Sequence, residues 1–470
     1  MRSAPTRLVR TVELRDPLVA LRALAGWPHA FLFRSTSRDN PSERWYFGAD
    51  PFATFGPDRY DEAITLWRRN LAPEPGGRQA GRAPFTGGLV GAWSYDFGRR
   101  LERLPERALN DLGWPDVWLA AYDVVGAWEP EAGVARLFSS GLPAAGAEGA
   151  RRAERRLDEF ARRLEAAPER APELQPTSGA LLEARSTFTP DRYRSAVERV
   201  REHIGRGDIF QANLSQRWTI VSRGLLGHAS SLFAELRRQS PAPHAAYLDL
   251  GDFAAVSASP ERFLRVSRGR VETRPIKGTR PRGADAASDA ALASSLLASA
   301  KDRAENVMIV DVLRNDLGRA CRTGSVVVDE LCALESFPQV HHLTSTISGQ
   351  LAAGRDAIDL LHACFPGGSI TGAPKIRAME IIEALEPVRR HLYTGAIGWL
   401  DWNGDADWNI AIRTALLSRD RIDFAAGGGI TADSDPDAEY LETLHKAEGM
   451  RLSLAALLGP VALAHEEVRA

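Results

Sequence analysis

The 470-residue chain has little cysteine: Cys321, Cys332 and Cys364 are all there is. No two of them form a CxxC pair, and three cannot build a disulfide framework. No histidine cluster accompanies them, so a thiolate metal site is not expected and packing is their role. Charge of one sign is also lacking. Lys and Arg number 59 against 61 Asp and Glu, a formal net charge of −2, which gives no reason to expect nucleic acid or an anionic membrane as partner. No apolar run reaches the length of a membrane span. Met1 to Leu14 alternates charged and apolar residues and lacks the apolar centre of a signal peptide. These absences predict a soluble cytoplasmic protein. No internal repeat is evident.

What is present is a chain long enough for two domains, with an ordinary 44% hydrophobic content. Residues 8–140 read as strand-rich. Ala30 to Ser35 and Arg44 to Gly48 are short strands split by the turn signal Asp39-Asn40-Pro41. Thr86 to Asp96 is glycine-rich and aromatic, and Pro115 to Val125 reads as one buried strand. Ala150 to Ala166 is dense in strong helix formers. Pro168 to Gly179 is proline-rich and polar, and marks a linker. The expected organisation is therefore residues 1–180 as an N-terminal companion region and residues 181–460 as a catalytic domain.

Beyond the linker, Thr189-Pro190 caps a helix. Strands are expected at Ile209 to Ile220, Ala245 to Leu250, Ala254 to Ser259, Gly395 to Trp402, Asn409 to Ser418 and Arg421 to Ala426. Helices are expected at Ser299 to Gly318 and from Asp435-Pro436 to about Leu458. Strands and helices come in blocks without regular βαβ alternation, which predicts an α+β fold.

Several stretches carry chemistry. Arg274 to Gly283 reads RPIKGTRPRG, with Lys277 at its centre. Composition alone makes it a basic loop, since Pro275 cannot donate to a central ladder. In the Ser299 to Gly318 helix the apolar stripe of Met308, Ile309, Val312 and Leu313 extends back to Glu305, a carboxylate that needs a partner if it faces the core. Glu439, Glu442 and Lys446 share one face of the last helix. Gly427-Gly428-Gly429 and the loop Pro366 to Lys375 can offer backbone N–H groups to an anion; neither is a Walker A loop. Arg413 sits in an apolar strand pattern, where an inward arginine should grip a carboxylate. His341 and His342 are adjacent, so only one can face a given side of a strand. Together these residues suit a small dianion held with Mg²⁺.

From about Phe188 to Leu457 the chain closely resembles the chorismate-utilising enzymes. The resemblance lies in Asp208 to Gln211, Ser259 to Phe263, Pro275 to Pro281, Asp302 to Asn306, Asp311 to Leu317, Pro366 to Lys375, Ala411 to Thr414 and Gly427 to Thr443, in the family's order. It implies large antiparallel β-sheets packed as a sandwich with helices outside. Water-adding members carry a lysine base where this chain has Gln211. Members that aminate C2 carry alanine, and members that aminate C4 carry lysine, where this chain has Lys277. The resemblance therefore implies amination of chorismate at C4, with amination at C2 and loss of pyruvate as the alternative.

It also implies roles. Lys277 would attack C2 as nucleophile, an act that needs its amine free of the proton. Glu261 would transfer protons. His342 and Ser369 would line the pocket near the leaving hydroxyl. Glu305 and Glu442, with Glu439 nearby, would bind Mg²⁺. Gly427, Gly428, Gly429 and Lys446 would contact the ring carboxylate. Arg413 and the region of Trp399, where the family more often has tyrosine, would hold the enolpyruvyl carboxylate. No cysteine has a nucleophile's setting, so ammonia would come from a separate glutamine amidotransferase subunit. Related enzymes bind tryptophan in the N-terminal region. Ser35 matches part of that site, but Arg34 departs from its Leu-Leu-Glu-Ser pattern, so no tryptophan feedback is expected.

Overall fold

In the computed structural model, residues 8–36, 43–72, 83–168, 181–337 and 339–465 are described. The turn at Asp39-Asn40-Pro41 and nearly all of the 168–179 linker stretch lie outside them. The fold is α+β, built on two large, mostly antiparallel sheets of 13 and 10 strands.

Both parts of the chain contribute to both sheets. In the larger sheet, Phe31–Ser35 pairs with His244–Asp249. In the smaller, Gly88–Trp93 pairs with Ala396–Asp401. The inner faces meet in an aromatic core of Phe31, Phe33, Tyr46, Phe85, Tyr122 and Trp399, among others. Successive side chains alternate across a strand, so the opposite faces need their own cover. Helices Pro17–Ala23, Gly146–Glu165, Ala229–Gln239 and Pro436–Leu458 contribute to the core on the outside of the larger sheet. Tyr60–Asn70, Ala300–Gly318 and Ala357–Cys364 do the same for the smaller. None of the described helices is long and apolar enough to cross a membrane.

The caps form as their residues dictate. Thr189 accepts from the Arg192 amide, Ser299 from the Asp302 amide and Asp435 from the Ala438 amide. The Pro115 to Val125 run, expected as one strand, is two. Val117–Tyr122 belongs to the smaller sheet and Val124–Glu129 to the larger, and the chain crosses between them at Asp123. Asp123 is almost fully buried and ion-paired to Arg152 and Arg156. Burial raises its carboxyl above the ordinary value, against the pull of the two arginines.

The Asn409 to Ser418 run is likewise broken. Ala406–Ile410 lies in the smaller sheet, Thr414–Ser418 in the larger, and Arg413 turns between them at φ 50°. The three glycines expected to follow a strand are inside one, Arg421–Ile430, paired with Gln211–Val221 along its length. The expected basic loop at Arg274 to Gly283 is mostly strand, Arg270–Arg274 and Ile276–Pro281, with Pro275 at the break.

Candidate active site

The strand Ile276–Pro281 pairs with Val340–Gln350, but its register slips. Ile276 faces Thr344 and Thr279 faces His342, so three steps on one strand match two on the other. The extra residue is a bulge, which re-aims side chains. Gly278 sits in it at φ 85°, and a Cβ there would press on Asp302 and Leu296 at 3.0 Å. The bulge and the nearby helix Ala300–Gly318 bring Lys277 Nζ to 2.8 Å from Glu305 Oε1, where it also donates to the Ser369 carbonyl at 3.1 Å. Glu305 lies in the second turn of that helix, not in its exposed first turn. Gln211, at the start of the strand Gln211–Val221, donates to the same Glu305 oxygen at 2.8 Å.

Glu305 is largely buried. Burial alone would raise its carboxyl, but the Lys277 charge and the bonds from Lys277 and Gln211 hold it below the ordinary value. Glu261 shows the opposite balance. It is 5% exposed, and burial pushes it up to about 7, against the Ser369 hydroxyl, the Lys277 charge and the Ile276 amide. A carboxyl poised there can give and take protons near neutral pH. His342 faces the same strand, with Nδ1 2.9 Å from the Thr279 hydroxyl. Burial, with the Arg413 charge, lowers it to about 4, so its imidazole is neutral at pH 7. His341 points elsewhere, to Asp289 and Ser336.

The triple glycine explains how the last helix approaches. A Cβ on Gly428 would meet Glu439 Oε2 at 2.8 Å and Glu442 Oε1 at 3.6 Å. One on Gly429 would meet Gln211 Nε2 at 2.0 Å and Glu305 Oε1 at 2.7 Å. The bare strand is thus a cradle with Glu305 on one side and Glu439 and Glu442 on the other. Glu439 is buried and takes a bond from Ser434; burial raises its carboxyl, aided by Glu442. Glu442 is 48% exposed and pairs with Lys446, which also donates to the Gly427 carbonyl at 2.8 Å.

Among the described residues, no three acidic, histidine or cysteine side chains gather closely enough to hold a metal ion by themselves. That is no obstacle for Mg²⁺, which is commonly held by one or two carboxylates and completes its shell with water and substrate oxygens. Glu305 and Glu442 approach neighbouring glycines of one strand and have the donor chemistry such a site uses.

Arg413 is partly buried, and among the described residues its side chain has no hydrogen bond or ion pair; burial alone lowers its pKa. A desolvated arginine without a carboxylate is set up for an anionic ligand. The Trp399 side chain is not with this group. Its indole stacks on Phe85 at 4.8 Å and meets Tyr46 at 5.8 Å in the core between the sheets. There it lines a cavity with Arg34, Ser35, His244, Asp407 and Asn409. A tyrosine lies instead at Tyr393, in the turn whose Thr394 and Gly395 bond to Ala411, two residues before Arg413. Its hydroxyl has no partner among the described residues. Single-residue reasoning had no reason to choose it over other aromatics.

The structure also adds a support. Arg390, buried against Glu386, donates to the carbonyls of Ile370 and Asn213. It ties the Ser369 turn to the strand that begins at Gln211. An Arg four residues after a Glu reads in sequence as an ordinary surface pair, which is why it gave no signal.

The family described as chorismate binding enzyme matches residues 33–451. Aminodeoxychorismate synthase component 1 of Klebsiella aerogenes is 42% identical over 80% of this chain and 78% of that protein. Anthranilate synthase component 1 of Thermus thermophilus is 38% identical over 96% of this chain and 97% of that one. The crystal structure of anthranilate synthase component I from Streptococcus pneumoniae TIGR4 superposes with a TM-score of 0.72 at 30% identity, covering 96% of this chain and 93% of that one.

Proposed function

The chain belongs to the chorismate-binding enzymes, and from that premise we propose that it aminates chorismate at C4, giving 4-amino-4-deoxychorismate for p-aminobenzoate and folate synthesis. The observation that carries the reading is Lys277 Nζ, 2.8 Å from Glu305 and bonded to the Ser369 carbonyl. A lysine there can act as a nucleophile that an alanine cannot replace. The similarity to aminodeoxychorismate synthase component 1 supports the same branch.

The chemistry balances as chorismate plus ammonia giving product plus water. Lys277, once its amine is free of the proton, bonds to C2 of the ring as the C4 hydroxyl leaves. Glu261, protonated near neutral pH, supplies the proton that makes the leaving group water. Ammonia then bonds to C4 and the Lys277 amine is expelled. The proton shed by the new amine returns to Glu261, and the pyruvyl ether stays intact. Arg413 receives the enolpyruvyl carboxylate, while Lys446 and the bare strand Gly427 to Gly429 receive the ring carboxylate. Neutral His342 and Ser369 orient the leaving hydroxyl. Gln211 lacks the basicity to deprotonate water, which disfavours hydration. Held by Glu305 and Glu442, with Glu439 behind, Mg²⁺ would neutralise the ring carboxylate and ease loss of the hydroxyl.

Ammonia is proposed to come from a separate glutamine amidotransferase subunit. All three cysteines are buried, and burial raises each thiol, unlike an activated nucleophile. The isolated chain with chorismate, Mg²⁺ and ammonium should form 4-amino-4-deoxychorismate, identified by mass and by lyase-coupled conversion to p-aminobenzoate. Glutamine alone should give no product. Anthranilate as the sole product would replace this reading with C2 amination, which the likeness to anthranilate synthases keeps as the second reading.

A further inference from the structure

Asn306 follows Glu305 on the helix Ala300–Gly318 and is wholly buried, 0% exposed, near the apolar Ile309, Val310 and Leu313 on that helix. A buried amide without partners costs about 1–3 kcal/mol. Asn306 finds its partners on another element, the strand Val340–Gln350. Its Nδ2 donates to the Leu343 carbonyl at 3.2 Å, and its Oδ1 accepts from the Ser345 hydroxyl at 2.5 Å. Ser345 is equally buried. Its hydroxyl accepts from the Cys332 amide at 2.9 Å, and its backbone N–H donates to the Pro275 carbonyl at 3.2 Å. Pro275 stands two residues before Lys277.

A continuous polar relay therefore joins the two halves of the reactive pair. It runs from the helix that carries Glu305, through Asn306 and Ser345, to the strand that carries Lys277. The relay meets a need created by the bulge. Between Ile276 and Thr279 the ladder register slips, so the ladder alone does not fix the backbone at Lys277. Thr279, bonded to His342, anchors one end; Ser345 on Pro275 anchors the other. Apolar contacts between a helix and a sheet are non-directional and tolerate small slides, whereas two directed amide bonds fix the helix against the strand.

We propose that Asn306 is a positioning residue: acting through Ser345, it sets the Lys277–Glu305 separation on which the reaction depends. This rests on the reading of Lys277 as nucleophile. The test is a double-mutant cycle of Asn306→Leu, Ser345→Ala and the pair. It measures kcat and KM for chorismate with ammonium, the thermal midpoint, and the rate of Lys277 acylation by acetic anhydride at one fixed pH, read by peptide mass.

Asn306→Leu should lower kcat by about 10-fold or more, leave KM within about twofold, and change the acylation rate of Lys277. Ser345→Ala should act in the same direction, and the pair should be less damaging than the product of the singles. A kcat loss that only follows the folded fraction, with Lys277 acylation unchanged, would overturn the proposal; so would full additivity. Should Asn306→Leu fail to fold, Ser345→Ala carries the same comparison. The acylation rate reads the placement of Lys277 even if chorismate is not aminated, so failure of the proposed function and failure of this relay remain distinguishable.

Discussion

Replacing Gly429 with alanine tests the cradle with one methyl group. Gly429 has extended backbone in the strand Arg421–Ile430, so alanine brings no conformational penalty there. The effect is steric. The new Cβ would lie 2.0 Å from Gln211 Nε2, 3.1 Å from Gln211 Cδ and 2.7 Å from Glu305 Oε1. Ordinary contact needs about 3.5 Å, so the Gln211 amide must withdraw by more than an ångström and Glu305 must turn aside. Withdrawal breaks the 2.8 Å bond between them. A hydrogen bond to a charged group is worth about 1.5–3 kcal/mol, and overpacking adds roughly 1–3 kcal/mol.

Since Glu305 also holds Lys277, the displacement reaches the proposed nucleophile, and misplacement on this scale costs about 100-fold in rate. The assay compares kcat/KM for chorismate with ammonium, and the thermal midpoint, in Gly429→Ala and in Gly205→Ala. No atom lies within 4 Å of a Cβ at Gly205, so that variant should match the parent. Gly429→Ala should lose about 100-fold or more in kcat/KM and its midpoint should fall by several degrees. Retention of half the activity would show that the glycine is not making room for a working Gln211–Glu305 contact.

Lys277→Ala should abolish 4-amino-4-deoxychorismate formation; an unchanged product yield by mass would remove Lys277 from the reaction. Glu261 gives a pH prediction with a definite sign. Its folded pKa of about 7 lies above the unfolded value of about 4.3, so the folded state binds more protons between them. Stability from this group is present at acid pH and is lost as pH rises through that window, by order of 3 kcal/mol in total. Glu261→Gln should flatten that part of the stability curve, unfold later than the parent at pH 8 in urea, and lose the activity limb near neutral pH; an unaltered stability profile would contradict the burial argument. Chelation with EDTA should abolish turnover without shifting far-UV circular dichroism, and Glu442→Gln should raise the Mg²⁺ needed for half-maximal rate. Tryptophan in the micromolar range should leave the rate unchanged, because Arg34 is engaged by Glu43 and Ser35 by Asp407 at the candidate pocket; inhibition there would refute that.

The amino-acid sequence determined what depends on neighbours along the chain. Thr189-Pro190, Ser299 and Asp435-Pro436 start helices because a side-chain oxygen can reach an amide two or three residues on, a geometry set within one turn. Glu305 could be suspected because it continues an apolar helical stripe. Lys277 could be singled out once its surrounding motifs were considered together. Tertiary structure decided which of two identical local patterns applied. Val117 to Glu129 is one apolar run in sequence, yet it crosses between sheets at Asp123, since each half matches strand periodicity and only the ladder partners differ. Arg413 turns at the second such crossing, so its freedom to meet an anion comes from a corner rather than a strand face. The inward turn of His342 rather than His341, and of Trp399 toward the inter-sheet core, follows from register, which no residue carries alone. The Lys277–Glu305 contact spans 28 positions and joins a bulged strand to a helix. Each is an interaction between distant segments, and only the packed chain brings them together.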